Sequence, residues 1–296
     1  MDKNSDVILI TGCSSGFGFL TSKLLANNGY KVYATMRDIN SRNKEKMEKL
    51  KADVGNSSDN LEIIEVDVLK PSTIKSAVDD VIDREKKIDV LVNNAGYGLF
   101  GPVEFGEMDR IEHMFDTNVL GYIRMIQEVM PHMREKRHGK IINVASMMSV
   151  LGLPNIGYYS ATKFAVRGFS QALLGEAYLF NIKVSVIAPM GYNTKFLSSS
   201  LQKLVEPEES GEYETSYANL IDNLDNFGRK SGKPVDVAKK IMKVIRKKNP
   251  PFIVPVGKYA RTGLFLSKFM SPLMMQKMMA MLYGFDKMFK KKSINK

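Results

Sequence analysis

The 296-residue sequence contains one cysteine, Cys13, and three histidines. A single cysteine excludes an intramolecular disulfide framework and a zinc site built from thiolates, and it suits a reducing compartment. The histidines, His113, His132 and His138, show no spacing that is typical of metal ligands. We therefore predict no metal site.

Long apolar runs are also missing from the sequence. No stretch of eighteen consecutive apolar residues occurs, so no membrane-spanning helix is predicted. Residues 1–6 lead directly into a short apolar run, which leaves no room for the charged and apolar segments of a secretory signal. The expected location is the cytoplasm.

Positive charge is concentrated at one end of the chain. The net charge is +11, and residues 257–296 alone hold nine basic residues and one acidic residue, a net charge of +8. The remainder is close to balance, whereas a nucleic-acid surface would place basic residues along a groove or helix of the folded body. We therefore expect no nucleic-acid partner.

Short β-branched and leucine-rich runs alternate with helical patterns along most of the chain. The runs at residues 7–10, 31–36, 61–66, 88–92, 140–145, 183–188 and 250–256 are typical of strands buried on both faces. Helices are predicted between them, including residues 40–51, 72–86, 109–135 and 156–180. This alternation predicts an α/β fold, a Rossmann-type doubly wound parallel sheet flanked by helices, over residues 1–256.

A glycine-rich loop follows the first strand. The segment from Thr11 to Gly18 carries Gly12, Gly16 and Gly18 directly before a helical pattern. Glycines allow the backbone to approach a pyrophosphate, and the helix N-terminus offers free N–H groups to it. The alternative is an ordinary helix entry capped by Ser14 or Ser15.

The ends of the second and third strands suggest the adenosine side of a dinucleotide. Arg37 follows the second strand and suits the 2′-phosphate of NADP, whereas the adjacent Asp38 suits the ribose hydroxyls of NAD. Because Arg37 comes first, NADP(H) is favoured and NAD(H) stays possible. Asp67 follows the third strand, where it would accept from an adenine amino group or simply cap a loop.

Reactive side chains follow the later strands. Ser146 ends the fifth strand, and Tyr159 lies four residues before Lys163 in the next helix. That spacing stacks the two side chains, so the ammonium would lower the pKa of the phenol and allow proton exchange with an alcohol or carbonyl. Ser146 would hydrogen-bond the same substrate oxygen. The tyrosine and lysine pair alone is a weak signal, because such pairs also occur on solvated helices.

Taken together, these motifs resemble the short-chain dehydrogenase/reductase family. The resemblance rests on residues 11–18, residues 93–96 (Asn-Asn-Ala-Gly), Asn118, Ser146 and the Tyr159/Lys163 pair, in this order, over roughly residues 5–255. The glycine loop, residues 31–38 and the C-terminal extension are similar to the branch that contains 17β-hydroxysteroid and retinol dehydrogenases.

The resemblance implies a role for each site residue. Tyr159 would exchange the proton, Lys163 would lower its pKa and bind the nicotinamide ribose, and Ser146 would hold the carbonyl, while Asn118 would anchor a water linked to Lys163. Cofactor contacts are implied for Gly12, Ser14, Ser15, Gly16, Phe17, Gly18, Arg37, Asp67, Val68, Asn94, Gly96, Tyr159, Lys163 and Thr194. One departure is Met190, which stands after Pro189 where the family usually has glycine.

The C-terminal third is expected to form the substrate side. Residues of about 190–233 are polar and acidic and would form a lid. Residues 257–296 form a basic, methionine-rich helical extension, which either packs on the substrate pocket or a subunit interface or touches an anionic membrane surface. Family habit suggests a homodimer or homotetramer through the helices at 109–135 and 156–180.

These observations predict an NADP(H)-dependent oxidoreductase that interconverts a small lipophilic alcohol and its ketone or aldehyde. Two alternatives stay open, an NAD(H)-dependent enzyme of the same type and a non-catalytic dinucleotide-binding regulator. The complete set of Asn118, Ser146, Tyr159 and Lys163 favours the enzyme, because a regulator would not need it.

Overall fold

The computed structural model describes residues 5–192 and 201–283. The strands within these ranges are β1 (Val7–Ile10), β2 (Lys31–Met36), β3 (Leu61–Glu65), β4 (Val90–Asn93), β5 (Gly98–Phe100), β6 (Gly139–Val144), β7 (Ile182–Pro189), β8 (Leu201–Lys203) and β9 (Ile253–Val256). The α-helices are α1 (Gly16–Ala26), α2 (Lys44–Val54), α3 (Pro71–Glu85), α4 (Met108–Phe115), α5 (Gly121–Lys136), α6 (Gly157–Tyr178), α7 (Glu214–Ser231), α8 (Val235–Arg246), α9 (Ala260–Leu266) and α10 (Pro272–Tyr283).

Seven of these strands form one parallel sheet in the order β3-β2-β1-β4-β6-β7-β9. Strand β1 pairs with β2 on one side and with β4 on the other, so the strand order reverses at β1. Ligands of doubly wound sheets bind beyond the carboxyl ends of the strands at such a reversal. The predicted Rossmann-type fold is confirmed.

Helices cover both faces of the sheet because successive strand residues point to opposite sides. Ile8 and Ile10 of β1 pack in a cluster with side chains of α1, α2 and α8. Val7 and Leu9 pack in a second cluster with side chains of α3, α5 and α6. The apolar run of β1 is therefore buried completely, as its sequence indicates.

The predicted helix over residues 109–135 changes its hydrogen-bonding pattern around Asn118. Helices α4 and α5 are joined by a π-helical turn, Asp116–Leu120, which contains Asn118. π-Turns inside helices occur frequently at functional sites. The expected helix is therefore present over its whole length and contains a π-helical turn that the sequence did not indicate.

The predicted lid is only partly described, because residues 193–200 lie outside the described ranges. Strand β8 pairs in parallel with β5, a short two-stranded sheet that the sequence did not indicate. The Tyr217 hydroxyl on α7 donates to the backbone oxygen of Phe100 at 2.7 Å. These contacts attach the described part of the predicted lid segment to the chain after β4.

Within the described residues, the expected helical C-terminal extension consists of α9 and α10. Met275, Met279 and Ala280 of α10 pack in the same apolar cluster as Leu153 and Tyr159. Within the described ranges, no helix combines the length and the apolar character needed to cross a membrane.

Candidate active site

The glycine loop after β1 is shaped by close backbone approaches. Gly12 has a φ of +72°, and a Cβ atom there would lie 2.7 Å from the Cα atom of Ala95. A Cβ atom at Gly18 would collide with the carbonyl oxygen of Gly12 and lie 2.6 Å from the side-chain nitrogen of Asn94. Side chains at these positions would therefore force the loop away from β4.

The start of α1 is open to a ligand. Gly16 has a φ of +60°, and a Cβ atom there would meet no atom within 4 Å. Ser15 precedes the helix and makes no side-chain capping hydrogen bond. The first N–H groups of α1 thus lack the serine cap considered from the sequence, and a pyrophosphate fits this end by charge and by space.

Asn94 holds the glycine loop in place. Its side-chain nitrogen donates to the carbonyl oxygens of Thr11 at 3.0 Å and Gly12 at 3.1 Å. The Thr11 hydroxyl in turn accepts from the backbone N–H groups of Asn94 and Ala95. The loop and the end of β4 are therefore one rigid unit.

One cavity of about 630 Å³ joins the glycine loop to the reactive side chains. Its lining includes these predicted site residues: Gly12, Ser14, Ser15, Gly16, Phe17, Arg37, Asp67, Val68, Asn94, Gly96, Ser146, Tyr159 and Lys163. Gly18 and Asn118 are described by the structure but do not line the cavity. Thr194 lies outside the described residues. The structure thus brings most of the predicted site to one place.

Two guanidinium groups line the cavity beyond β2. Arg37 and Arg42 both line the cavity. Asp38, the residue that would indicate NAD, is described by the structure but does not line it. Asp38 has a φ of +51°, and its carbonyl oxygen accepts from the N–H groups of Ser41 and Asn43. This turn brings Arg42 to the cavity, a placement that the linear sequence does not reveal.

Ser146 lies at the carboxyl end of β6. Its Oγ accepts from the backbone N–H of Met148 at 3.1 Å and lies 3.5 Å from the carbonyl oxygen of Pro189. These contacts fix the hydroxyl at the cavity wall, where it also hydrogen-bonds the Tyr159 side chain.

Tyr159 and Lys163 occupy the first two turns of α6 and are both buried. The Lys163 amine lies 5.5 Å from the centre of the Tyr159 ring and donates to the carbonyl oxygen of Val144 at 3.2 Å. The Tyr159 ring stacks on Phe100, with ring centres 6.0 Å apart. Stacking on Phe100 therefore holds the Tyr159 ring in place, and the hydrogen bond to Val144 holds the Lys163 amine.

Burial controls the charge of both groups. It raises the pKa of the Tyr159 phenol strongly, and a hydrogen bond from Ser146 opposes this shift. It also lowers the pKa of Lys163 to about 8. Desolvation of the buried phenolate is the largest effect on Tyr159, and the lowering of its pKa by Lys163 stays a prediction.

Asn118 lies behind the cavity wall. Its side-chain oxygen accepts from the backbone N–H of Tyr97 at 3.0 Å, and its nitrogen donates to the Tyr97 oxygen at 2.8 Å and to the Thr162 hydroxyl at 3.2 Å. A Cβ atom at Gly96 would lie 2.7 Å from the Asn118 oxygen. Asn118 therefore ties the segment after β4 to α6, and the water-anchoring role stays a prediction.

The cavity has an apolar end next to Tyr159. Phe100, Met148, Leu153 and Ile156 line it there, and Tyr192 lines it after β7. Phe100 precedes the lid and gives no motif in the sequence, so only the stacking on Tyr159 identifies it. At the departure from the family pattern, Met190 is buried and Gly191 takes the positive φ of +61°.

Comparisons with known proteins agree with this geometry. The family model described as short chain dehydrogenase matches residues 6–204. The chain is 36% identical to a 3-ketodihydrosphingosine reductase of Bacteroides thetaiotaomicron, covering 85% of this chain and 87% of that protein. It is 33% identical to retinol dehydrogenase 8 of Bos taurus, covering 82% and 79% respectively.

Two further matches extend the comparison. The chain is 40% identical to estradiol 17-beta-dehydrogenase 1 of Rattus norvegicus, covering 65% of this chain and 56% of that protein. Among solved structures, a short-chain dehydrogenase from Streptomyces avermitilis superposes with a TM-score of 0.79 at 26% identity, covering 98% of this chain and 99% of that one.

Proposed function

The chain belongs to the short-chain dehydrogenase family of NAD(P)-dependent oxidoreductases, similar to its 17β-hydroxysteroid and retinol dehydrogenase branch, and we propose that it uses NADP(H) to interconvert a lipophilic alcohol and its ketone or aldehyde. The observation that carries this proposal is the single cavity that joins the glycine loop, Ser146 and Tyr159 to an apolar end. A hydride donor and a lipophilic carbonyl would thus meet at one phenol.

Ser146 and Tyr159 have separate roles in the proposed reaction. A nicotinamide dinucleotide, when bound, supplies or accepts the hydride. Ser146 donates a hydrogen bond to the substrate oxygen, and Tyr159 donates a proton to it as negative charge develops there. Burial raises the pKa of Tyr159, so the phenol carries its proton at neutral pH and can donate it to the substrate oxygen during reduction.

Two guanidinium groups support NADP(H) over NAD(H). Arg37 and Arg42 line the cavity beyond β2 and are both exposed, so their charges are available to a 2′-phosphate. Arginine binds phosphate oxygens through a planar set of donors. Asp38 is described but does not line the cavity, so its carboxylate supports NAD(H) less than the two arginines support NADP(H).

Apolar lining and the relatives support a lipophilic substrate. Phe100, Met148, Leu153 and Ile156 offer no charge to a polar substrate. The names of the relatives, a ketodihydrosphingosine reductase, a retinol dehydrogenase and an estradiol dehydrogenase, all refer to lipophilic molecules.

The test is NADPH and NADH oxidation with a panel of a long-chain ketone, a polyene aldehyde, a ketosteroid and a hydrophilic ketone. The proposal expects turnover with at least one lipophilic carbonyl, faster with NADPH. Turnover confined to the hydrophilic ketone would refute the substrate class, and a preference for NADH would refute the cofactor assignment.

The location and the subunit number of the protein are proposed separately from its activity. The cytoplasmic location stays a prediction. The homo-oligomer stays a prediction as well, supported by Leu120 and Phe164, which are 46% and 43% exposed on the two helical segments expected at the interface. Light scattering of the purified protein measures its subunit count directly.

A further inference from the structure

The outer side of the C-terminal helices exposes large apolar side chains. Five of them lie within seventeen residues and are between 56% and 74% exposed: Phe265, Phe269, Leu273, Met274 and Met281. We call this set the C-terminal apolar face. Soluble surfaces seldom concentrate side chains of this kind in one place without a partner.

This face is distinct from the part of the helices that packs on the protein. Met275, Met279 and Ala280 point inward to the apolar cluster that contains Tyr159. The side-chain nitrogen of Gln276 donates to the backbone oxygen of Gly152 at 2.8 Å. The inner side of α10 therefore packs on the rest of the protein. Within the described ranges, no residue covers the outer side.

Exposed basic residues occur in the same segment as the C-terminal apolar face. Residues 257–283 contain four basic residues and no acidic residue, and all four are exposed: Lys258, Arg261, Lys268 and Lys277. Lys268 lies between Phe265 and Phe269 in the sequence. Lys277 follows Met274 by three residues and precedes Met281 by four, so these three share one side of α10.

We propose that the C-terminal apolar face docks on the surface of an anionic phospholipid bilayer, with α9 and α10 lying in the interface. Apolar side chains enter the boundary of the acyl chains, while lysines and arginines of the same helices contact lipid phosphates. The combination of both on one surface is what such a partner requires.

A second copy of this chain fits the face less well. A two-fold interface brings the same surface of both subunits together, so the four basic residues of one copy would face those of the other with no acidic residue of residues 257–283 to pair with. Like charges placed opposite each other in an interface are unfavourable. A bilayer that carries negative charge supplies the opposite sign.

Docking in this way would bring the apolar end of the cavity close to lipid. The helices contact residues 147–153, the segment after Ser146, where Gln276 bonds to Gly152 and where Met148 and Leu153 line the cavity. Only this consequence, the supply of a lipophilic substrate from the bilayer, rests on the proposed function.

Vesicle co-sedimentation of the full chain tests the proposal. We expect binding to vesicles that contain phosphatidylglycerol, little binding to pure phosphatidylcholine, and weakening by salt because exposed charges are screened. A double variant Lys268→Gln/Lys277→Gln should weaken the binding roughly fivefold for each lysine removed. A double variant Phe269→Ser/Leu273→Ser should weaken it by about tenfold or more.

Matched controls are available elsewhere on the chain. Leu179→Ser removes an apolar side chain that is 67% exposed at the other end of α6, and Lys51→Gln removes an exposed lysine on α2. Both should leave vesicle binding unchanged. Every protein keeps residues 284–296, so their five lysines contribute equally throughout. Thermal unfolding of each variant verifies that it is folded.

Three results would overturn the proposal: no binding of the wild type to anionic vesicles, equal binding of wild type and the two double variants, or equal losses in the controls. If the Phe269→Ser/Leu273→Ser protein instead changes its subunit count, the face is an interface between copies. Binding is measured without turnover, so a negative result here is separate from a failure of the proposed activity.

Discussion

The amine of Lys163 lies between two tyrosine rings, 5.5 Å from the centre of Tyr159 and 5.6 Å from the centre of Tyr122. The Tyr122 hydroxyl donates to the carbonyl oxygen of Val144 at 3.0 Å, and the Lys163 amine donates to the same oxygen at 3.2 Å. Neither contact brings an opposite charge to the buried amine. Lys163 therefore stays in place at a cost to the stability of the folded chain.

This cost predicts the effect of Lys163→Met. Burial lowers the pKa of Lys163 to about 8, below the ordinary 10.5, so the unfolded chain binds more protons between these values and stability rises with pH there. At neutral pH the variant should be more stable by about 2–3 kcal/mol. Urea unfolding near pH 7 and near pH 10 measures the difference, which should shrink at the higher pH.

The matched control is Lys51→Met on α2, whose lysine is exposed. It should show no comparable gain at either pH. A Lys163→Met protein that is less stable than the wild type at neutral pH would show that Lys163 stabilises the fold, contrary to this account.

The cofactor assignment predicts a selective effect of the two arginines. Arg37→Ala or Arg42→Ala removes a charged donor worth about 1.5–3 kcal/mol to a phosphate. The KM for NADPH should rise about 10- to 100-fold, while the KM for NADH should change little. Arg84→Ala, which removes an exposed arginine of α3, serves as control, and parallel changes for both cofactors would show that neither arginine reads the 2′-phosphate.

Ser146 should matter for turnover more than for folding. Ser146→Ala removes a donor to the substrate oxygen and should lower kcat about 100-fold or more. Ser149 is buried in the same short turn, where its hydroxyl donates to the carbonyl oxygen of Ser146 at 2.6 Å. Ser149→Ala should therefore have a much smaller effect on kcat, and similar losses in both variants would reduce Ser146 to a structural residue.

The charge state of Tyr159 predicts a pH dependence. Alcohol oxidation needs the phenolate as base, and burial raises the pKa of that phenol. The kcat/KM for oxidation should therefore increase with pH above neutrality, by about tenfold per pH unit while the phenol stays mostly protonated. A flat profile from about pH 7 to pH 9 would show that another group sets the rate.

The sequence predicts most of the fold because the strands are continuous apolar runs. Val7 to Ile10 reads as a buried strand without knowledge of its neighbours, and burial of all four residues confirms it. By contrast, β5 and β8 have three residues each and pair with one another, so no local pattern marks them.

The sequence also predicts some features of the candidate site and not others. Gly12, Tyr159 and Lys163 belong to local motifs and can be found from spacing. Arg42 reaches the cavity through the turn that begins at Asp38, and the sequence does not mark this turn because the residue with the left-handed conformation is not a glycine. The rise in the pKa of Tyr159 depends on its burial, which spacing alone does not reveal.

The most direct test of the central claim compares wild type with Tyr159→Phe. The variant keeps the buried ring, so it should stay folded and bind NADPH as the wild type does, while kcat for reduction of a lipophilic carbonyl falls by about 100- to 10,000-fold. Fluorescence titration measures NADPH binding, and NADPH oxidation measures kcat. Undiminished turnover by a folded Tyr159→Phe protein would contradict the assignment of Tyr159 as the proton donor.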